Sequence, residues 1–307
     1  MSIYAALKGV GPSGFGYGST AEEVTADIDL DGRVVVITGC NSGLGAETMR
    51  VLGSRGAELV AVARTTDKAS AAAREAGVEA TPVACDLSEP RSASDAAKTI
   101  ADLGKPIGAV IANAGIMALP KLHVKHGLEL QFLTNHMGHF ILVTGLLDSL
   151  ADDARVVMLS SSAHGMAPKA GIELDNLDGS RGYNSWRAYG QSKLANLLFA
   201  RQLAADLKGT SKTANAVHPG VIKTNLTRHM NPLTGIAMTI AGPLGLKSVG
   251  EGAATQCYVA THPSLAEVSG EYFKDCNVAK SSGSGRNLDL AKSLWDRSEE
   301  LAAELLA

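Results

Sequence analysis

A chain of 307 residues with 45% hydrophobic and 19% charged residues carries enough apolar material for a sizeable core, which excludes intrinsic disorder. Its 28 Lys+Arg stand against 31 Asp+Glu, a formal net charge of -3, so there is no electrostatic reason to expect nucleic acid or an anionic membrane as partner. Four cysteines, Cys40, Cys85, Cys257 and Cys276, form no CxxC pair and no zinc-ligand spacing; free thiols, a reducing compartment and a cytoplasmic location are expected.

Residues 1–31 read as an N-terminal arm. It holds many glycines and a lone Lys8 rather than a signal peptide's apolar run, and Thr20 and Glu23 have capping-box spacing for a short helix. Residues 32–307 read as one domain. RVVVIT (33–38), ELVAVA (58–63), TPVAC (81–85), GAVIAN (108–113), ARVVMLS (154–160) and TANAV (213–217) read as strands. Between them, 44–54, 67–76, 92–103, 128–150 and 186–207 have helical periodicity. Apolar strands alternating with amphipathic helices predict an α/β fold, a single doubly wound parallel sheet of Rossmann type with helices on both faces.

Two stretches break that rhythm after strand ends, where open α/β sheets bind ligands. Residues 166–185 are polar and Gly-rich; residues 229–247 are apolar and rich in Pro and Gly, and a substrate loop is expected over 225–250. The most apolar run, 232–246, is interrupted by Thr, Gly and Pro and falls short of the ~20 residues a bilayer requires, so no membrane span is expected. Leu294, Leu301 and Leu305 predict an amphipathic C-terminal helix that covers the sheet edge or joins an interface.

After the first strand comes Thr38-Gly39-Cys40-Asn41-Ser42-Gly43-Leu44-Gly45, then helix. A tight turn needs residues without Cβ, and a helix N-terminus offers free N–H groups and a positive dipole end to a pyrophosphate. At the end of the second strand, where a dinucleotide fold places an acid on the adenosine ribose, this chain has Arg64-Thr65. A guanidinium pairs with a 2'-phosphate through two charge-assisted hydrogen bonds, so NADP(H) is favoured, with NAD(H) as the alternative; the bland reading of Arg64 is a solvated surface residue. Further on, Tyr189 and Lys193 stand at i, i+4 on a helix, a spacing that lets an ammonium favour the phenolate and lower the tyrosine pKa. An amphipathic surface pair has the same spacing.

The glycine loop, Asn113-Ala114-Gly115, Ser160-Ser161, the Tyr189/Lys193 pair and Pro219-Gly220 occur in the order found in short-chain dehydrogenases/reductases. Asn135-His136-Met137-Gly138-His139-Phe140, Ser192-Lys193-Leu194-Ala195-Asn196, His218-Pro219-Gly220-Val221 and Ser269-Gly270-Glu271-Tyr272-Phe273 resemble the retinol-dehydrogenase-like branch, which includes WW-domain oxidoreductase. The resemblance implies Tyr189 as acid/base, Ser161 as donor to the same substrate oxygen, and Lys193 as the group that lowers the tyrosine pKa and holds the nicotinamide ribose. It implies Asn135 as anchor of a water linking Lys193 to solvent. Because neighbours in a strand face opposite ways, Ser160, Ser161 and Ser162 cannot all reach one site, and the resemblance selects Ser161. It further implies cofactor contacts from Gly39, Asn41, Ser42, Gly43, Leu44, Gly45, Arg64, Thr65, Asp86, Leu87, Asn113, Ala114, Gly115, Pro219, Gly220, Val221, Ile222 and Thr224. Asp86-Leu87-Ser88 has an ordinary reading as a helix cap, and Pro219-Gly220 as a strand end.

These features define an NADP(H)-dependent oxidoreductase interconverting a carbonyl and an alcohol. Ile116, Met117, Ala118 and Leu119, with the apolar 229–247 stretch, point to a small hydrophobic substrate. An NADP-binding redox sensor or scaffold with little catalysis is the rival from another class, and an NAD-dependent epimerase or dehydratase needs a larger substrate domain. No metal site is expected from His123/His126 or His136/His139, which lack further ligands. His164 is expected in a polar contact, Cys276 in a structural role, and the resemblance implies a homodimer or homotetramer.

Overall fold

The computed structural model describes residues 8–222 and 246–307. In chain order it builds α1 (Ala21–Val24), β1 (Val34–Thr38), α2 (Gly43–Ser54), β2 (Glu58–Ala63), α3 (Thr66–Ala76), β3 (Ala80–Ala84), α4 (Pro90–Ala101) and β4 (Ile107–Ala112). The short pair β5 (Val124–Lys125) and β6 (Leu128–Glu129) follows, then α5 (Leu130–Phe132), a π turn at Leu133–Met137, α6 (Gly138–Thr144) and β7 (Leu150–Leu159). The chain continues with α7 (Ser185–Asp206), β8 (Thr213–His218), α8 (Val249–Thr261), β9 (Tyr272–Lys274), β10 (Asn277–Val278) and α9 (Leu288–Leu306).

The main sheet has eight strands in the order β10-β9-β8-β7-β4-β1-β2-β3, parallel except for the β9/β10 pair. The central strands β1, β4 and β8 are buried on both faces because their side chains alternate between two cores. Val34 and Val36 of β1 join the cluster under α4, α6, α7 and α9, while Val35 and Ile37 join the one under α1, α2, α3 and α8. Strand order reverses at β1, which lies between β2 and β4, and this switch point opens a crevice at the carboxyl ends of the strands.

The helix expected over 128–150 is shorter and interrupted. Leu128–Glu129 is a strand paired antiparallel with Val124–Lys125, and the Glu129 carboxylate accepts from Phe132 N–H to start α5. The helix then widens into the π turn, where the Gly138 N–H bonds to Leu133 O, and α6 stops at Thr144; Leu150 already belongs to β7. Hydrophobic periodicity alone could not mark these joints, because the buried face continues through them.

The arm packs on the body. Thr20 and Glu23 form the expected capping box, Glu22 pairs with Arg50 and Arg55, and Asn277 of β10 holds both Ser13 N–H and Phe15 O. At the other end of the chain, Leu294 and Leu301 of α9 are buried against α7 and α4 and Leu305 packs at their margin, so this helix covers a face of the sheet. Among the described residues no helix is long and apolar enough to cross a membrane.

Candidate functional site

The glycine turn is a cradle that side chains would fill. Gly39 and Gly43 have φ of 68° and 54°, a conformation glycine adopts without strain. A Cβ at Gly45 would lie 2.2 Å from Gly39 O, and one at Gly39 would lie 2.9 Å from Ala114 Cα, so β1, the turn and the Asn113-Ala114-Gly115 strand end meet backbone to backbone. Ser42 is the N-cap of α2 yet makes no side-chain cap bond, which leaves its hydroxyl and the helix N-terminus facing the crevice. Asn113 Nδ2 donates to Thr38 O at 2.8 Å and Ala114 N–H donates to Thr38 Oγ1 at 3.0 Å, fixing the second wall. A pyrophosphate fits these groups: uncommitted donors at a helix start, with no Cβ in the way.

Arg64 follows directly on β2 and is exposed; Thr65 caps α3, its Oγ1 accepting from Lys68 N–H at 3.3 Å. Asp86, after β3, accepts from both the N–H and the hydroxyl of Ser88, so its carboxylate orders the turn, while Leu87 is buried. Beyond β8, Gly220 has φ 98° and lies where a Cβ would meet the stem of Lys247 at 2.7 Å. Val221 is half exposed, and Ile222 packs with Leu44 of the glycine turn over Gly252 of α8. Pro219 leads into this segment, and Thr224 and most of the 225–250 loop lie outside the described residues.

Ser161, Tyr189 and Lys193 come together between β7 and α7. Asn184 caps α7 through Trp186 and Arg187 N–H, so Tyr189 and Lys193 sit in its second and third turns on the face turned to β7. The Ser161 hydroxyl lies near enough to Tyr189 to favour its charged form, and it accepts from Ala163 N–H at 3.2 Å. Ser160 points the other way, its Oγ donating to Lys193 O at 2.7 Å, and Ser162 is exposed. The three serines follow the end of β7, and the turn that begins at Ser162 gives each a different environment. Lys193 Nζ lies 5.8 Å from the Tyr189 ring centroid and donates to Leu159 O at 3.0 Å.

The electrostatics correct one expectation. Tyr189 is pushed up to about 12, chiefly by burial, with the Ser161 hydrogen bond pulling the other way; Lys193 is pushed down to about 8 by burial. Burial of the phenol sets its net displacement, which is upward rather than downward.

Asn135 lies inside the π turn and reaches the same place. Its Oδ1 accepts from Ile116 N–H at 2.8 Å, and its Nδ2 donates to Ile116 O and to Ser192 Oγ, each at 2.9 Å. Ser192 in turn donates to Tyr189 O. A methyl group at Gly115 would lie 3.1 Å from Asn135 Oδ1 and 3.3 Å from Lys193 Nζ, which shows how closely the fourth strand's end approaches the pair. Of the apolar run after β4, Ile116 and Met117 are half buried, whereas Ala118 and Leu119 are buried and Tyr183 holds the Leu119 carbonyl.

Other polar residues take local partners. His164 donates from Nδ1 to Ser161 O and accepts Ser282 N–H at Nε2. His136 pairs with Ser298, and His126 with Glu89. All four cysteines are free and buried, and burial raises the Cys276 thiol to about 12. Sequence reading gave no role to Thr38, Ser192 or His139, although all three lie within the quoted motifs; the i, i+4 spacing of Asn135 and His139 was the available signal.

A dinucleotide crevice with a phenol, a hydroxyl and an ammonium at its inner end defines an oxidoreductase. The family model described as short chain dehydrogenase matches residues 33–234. Short-chain dehydrogenase TIC 32 A, chloroplastic, from Brassica napus is 41% identical over 99% of this chain and 100% of that one. Retinol dehydrogenase 12 of Mus musculus is 40% identical over 90% of this chain and 88% of its own length. A crystal structure of an uncharacterized protein from Mycobacterium paratuberculosis superposes with a TM-score of 0.75 at 34% identity, covering 93% of this chain and 98% of that one. The chain belongs to the short-chain dehydrogenase/reductase superfamily, in its retinol-dehydrogenase-like branch, and acts on CH–OH and C=O groups.

Proposed function

We propose that this protein is an NADP(H)-dependent oxidoreductase that interconverts a carbonyl and an alcohol on a small hydrophobic substrate, with Tyr189 as the acid/base. The convergence of Ser161, Tyr189 and Lys193 beside the glycine cradle carries this reading. Gly39, Asn41, Ser42, Gly43, Leu44 and Gly45 would hold the pyrophosphate. Arg64 and Thr65 would meet the adenosine phosphate, Asp86 and Leu87 the adenine, and Asn113, Ala114, Gly115, Pro219, Gly220, Val221, Ile222 and Thr224 the remaining length. Bound there, NADP(H) supplies or takes up the hydride equivalent.

The side chains then manage one proton and one oxygen. In the reducing direction the substrate oxygen gains negative charge, and the Ser161 hydroxyl and Tyr189 Oη–H would donate to it. Tyr189 gives its proton to that oxygen. Burial keeps the phenol protonated at neutral pH, the form the reducing direction consumes. Lys193 steadies the phenolate left behind, and Asn135 keeps Gly115–Ile116 against Lys193. In the oxidising direction the Tyr189 phenolate takes the alcohol proton instead.

The half-buried Ile116 and Met117, together with exposed Val221, support an apolar substrate. Free buried thiols support residence in a reducing compartment, with the cytoplasm as the working assignment; pairing into a homodimer or homotetramer follows the family pattern.

The test is NADPH consumption over a panel of apolar aldehydes and ketones. Turnover is expected, and Tyr189→Phe abolishes it while NADPH binding survives. Cofactor binding without turnover on any member of the panel would make the protein a sensor or scaffold instead. In parallel, Arg64→Ala should weaken NADPH roughly 10- to 100-fold, the range for a lost hydrogen-bonded charge contact, and leave NADH unaffected; a wild-type preference for NADH would refute the cofactor assignment.

A further inference from the structure

His139 lies in the first turn of α6, fully buried, between the glycine turn and the π turn. Its Nδ1 is 2.9 Å from Asn135 O and its Nε2 is 2.8 Å from Thr38 Oγ1. The partners fix every proton. A carbonyl only accepts, so Nδ1 carries the hydrogen; Nε2 of a neutral ring then accepts, and the Thr38 hydroxyl must donate to it. Thr38 Oγ1 is free to receive Ala114 N–H, as it does at 3.0 Å. The ring stays neutral because burial, aided by the nearby Lys193 charge, brings its pKa down to about 4.

Two walls of the crevice are therefore joined through one imidazole. On one side are Thr38, which opens the glycine turn, and Ala114, at the end of β4. On the other is Asn135, whose side chain continues through Ser192 to the Tyr189 carbonyl. We propose that His139, as the neutral Nδ1–H tautomer, is a positioning residue that holds the Asn135 carbonyl and the Thr38 hydroxyl together and so sets the placement of Tyr189 and Lys193 against the cofactor cradle.

The catalytic part of this proposal rests on the activity proposed above; the tautomer does not. Nitrogen-15 NMR of histidine-labelled wild-type protein reads the tautomer without any substrate. A buried histidine with a pyrrole-type Nδ1 and a pyridine-type Nε2, whose signals vanish in His139→Phe, supports the proposal; the opposite tautomer or a charged ring overturns it. Kinetics then test the consequence on the best substrate of the carbonyl panel. His139→Phe and Thr38→Val should each lower kcat roughly tenfold, the equivalent of about 1.4 kcal/mol, with KM within about twofold.

The double variant should be no slower than either single one, because both remove the same bridge. Thr38→Ser, which keeps the hydroxyl, should recover most of the Thr38→Val loss. Additive losses, equal losses in Thr38→Ser and Thr38→Val, or full kcat in His139→Phe would each overturn the positioning role. If the wild type turns over no carbonyl, the activity assignment fails and the NMR result alone decides the bridge.

Discussion

Around Gly39–Gly45 the crevice is made of backbone, held open by the lack of Cβ atoms, whereas around Ser161, Tyr189 and Lys193 it is made of buried side chains whose proton affinities are displaced. The first region offers a shape and N–H groups that depend on glycine rather than on any functional side chain. The second works only with particular functional groups, and burying them carries a stability penalty. Substitutions should therefore fail differently at the two ends: by steric collision at one, by lost chemistry at the other.

The sharpest way to break this contrast is Tyr189→Phe. It removes one oxygen and no bulk, so turnover should fall roughly 10²- to 10⁴-fold, the usual yield of positioned acid–base groups, while the melting temperature stays within a few degrees. A comparable loss of stability would mean the phenol serves packing rather than proton transfer. At the glycine end the pattern should invert. In Gly45→Ala the new Cβ collides with Gly39 O, and overpacking of this kind destabilises by about 1–3 kcal/mol. Calorimetry should find that loss together with weaker NADPH binding.

A third experiment separates the regions by pH. Lys193 titrates at about 8 in the fold against an ordinary value of 10.5, so between those values the unfolded chain binds more protons and stability rises with pH. Below about pH 8 the buried charge weighs fully on the folded state. Lys193→Met lacks this titration, so wild type should gain on it by roughly 2 kcal/mol between pH 8 and pH 10 in denaturant titrations. Tyr189 opposes the trend only above pH 10, since its raised pKa lets the folded state keep a proton that the unfolded chain loses.

The smallest effect is a contrast between two N-caps. Thr65 caps α3 with its side chain, and Thr65→Ala should lower stability by about 1 kcal/mol. Ser42 makes no such bond, so Ser42→Ala should leave stability nearly unchanged and weaken NADPH a few-fold. Equal destabilisation would show that the Ser42 hydroxyl belongs to the helix and not to a ligand.

The succession of strands along the chain and the glycine turn were legible because each rests on local rules: an unbroken apolar run in Val34–Thr38, absence of Cβ at Gly39 and Gly45, i, i+4 spacing in Tyr189 and Lys193. The choice of Ser161 over its neighbours came from the family resemblance, since all three serines lie beyond the end of β7. What stayed hidden depends on residues distant in sequence. The π turn at Leu133–Met137 leaves the apolar pattern intact, and the upward displacement of Tyr189 comes from neighbours that bury it. His139 invited a metal reading at its spacing from His136, but its partners, Thr38 and Asn135, become visible only when β1 and α6 pack.

The short pairing on either side of residues 223–246 fixes both ends of that stretch. Ile222 and Lys247 pair in parallel, Lys247 N–H bonds Val221 O, and the buried Lys247 ammonium lies 2.7 Å from Asp275. With both anchor points fastened by the body of the protein, the number of residues strung between them is almost thermodynamically neutral: doubling it adds only about 0.6 kcal/mol of closure entropy. Lengthening the stretch between those anchors should therefore cost the fold little, while the groups around Tyr189 stay where they stand.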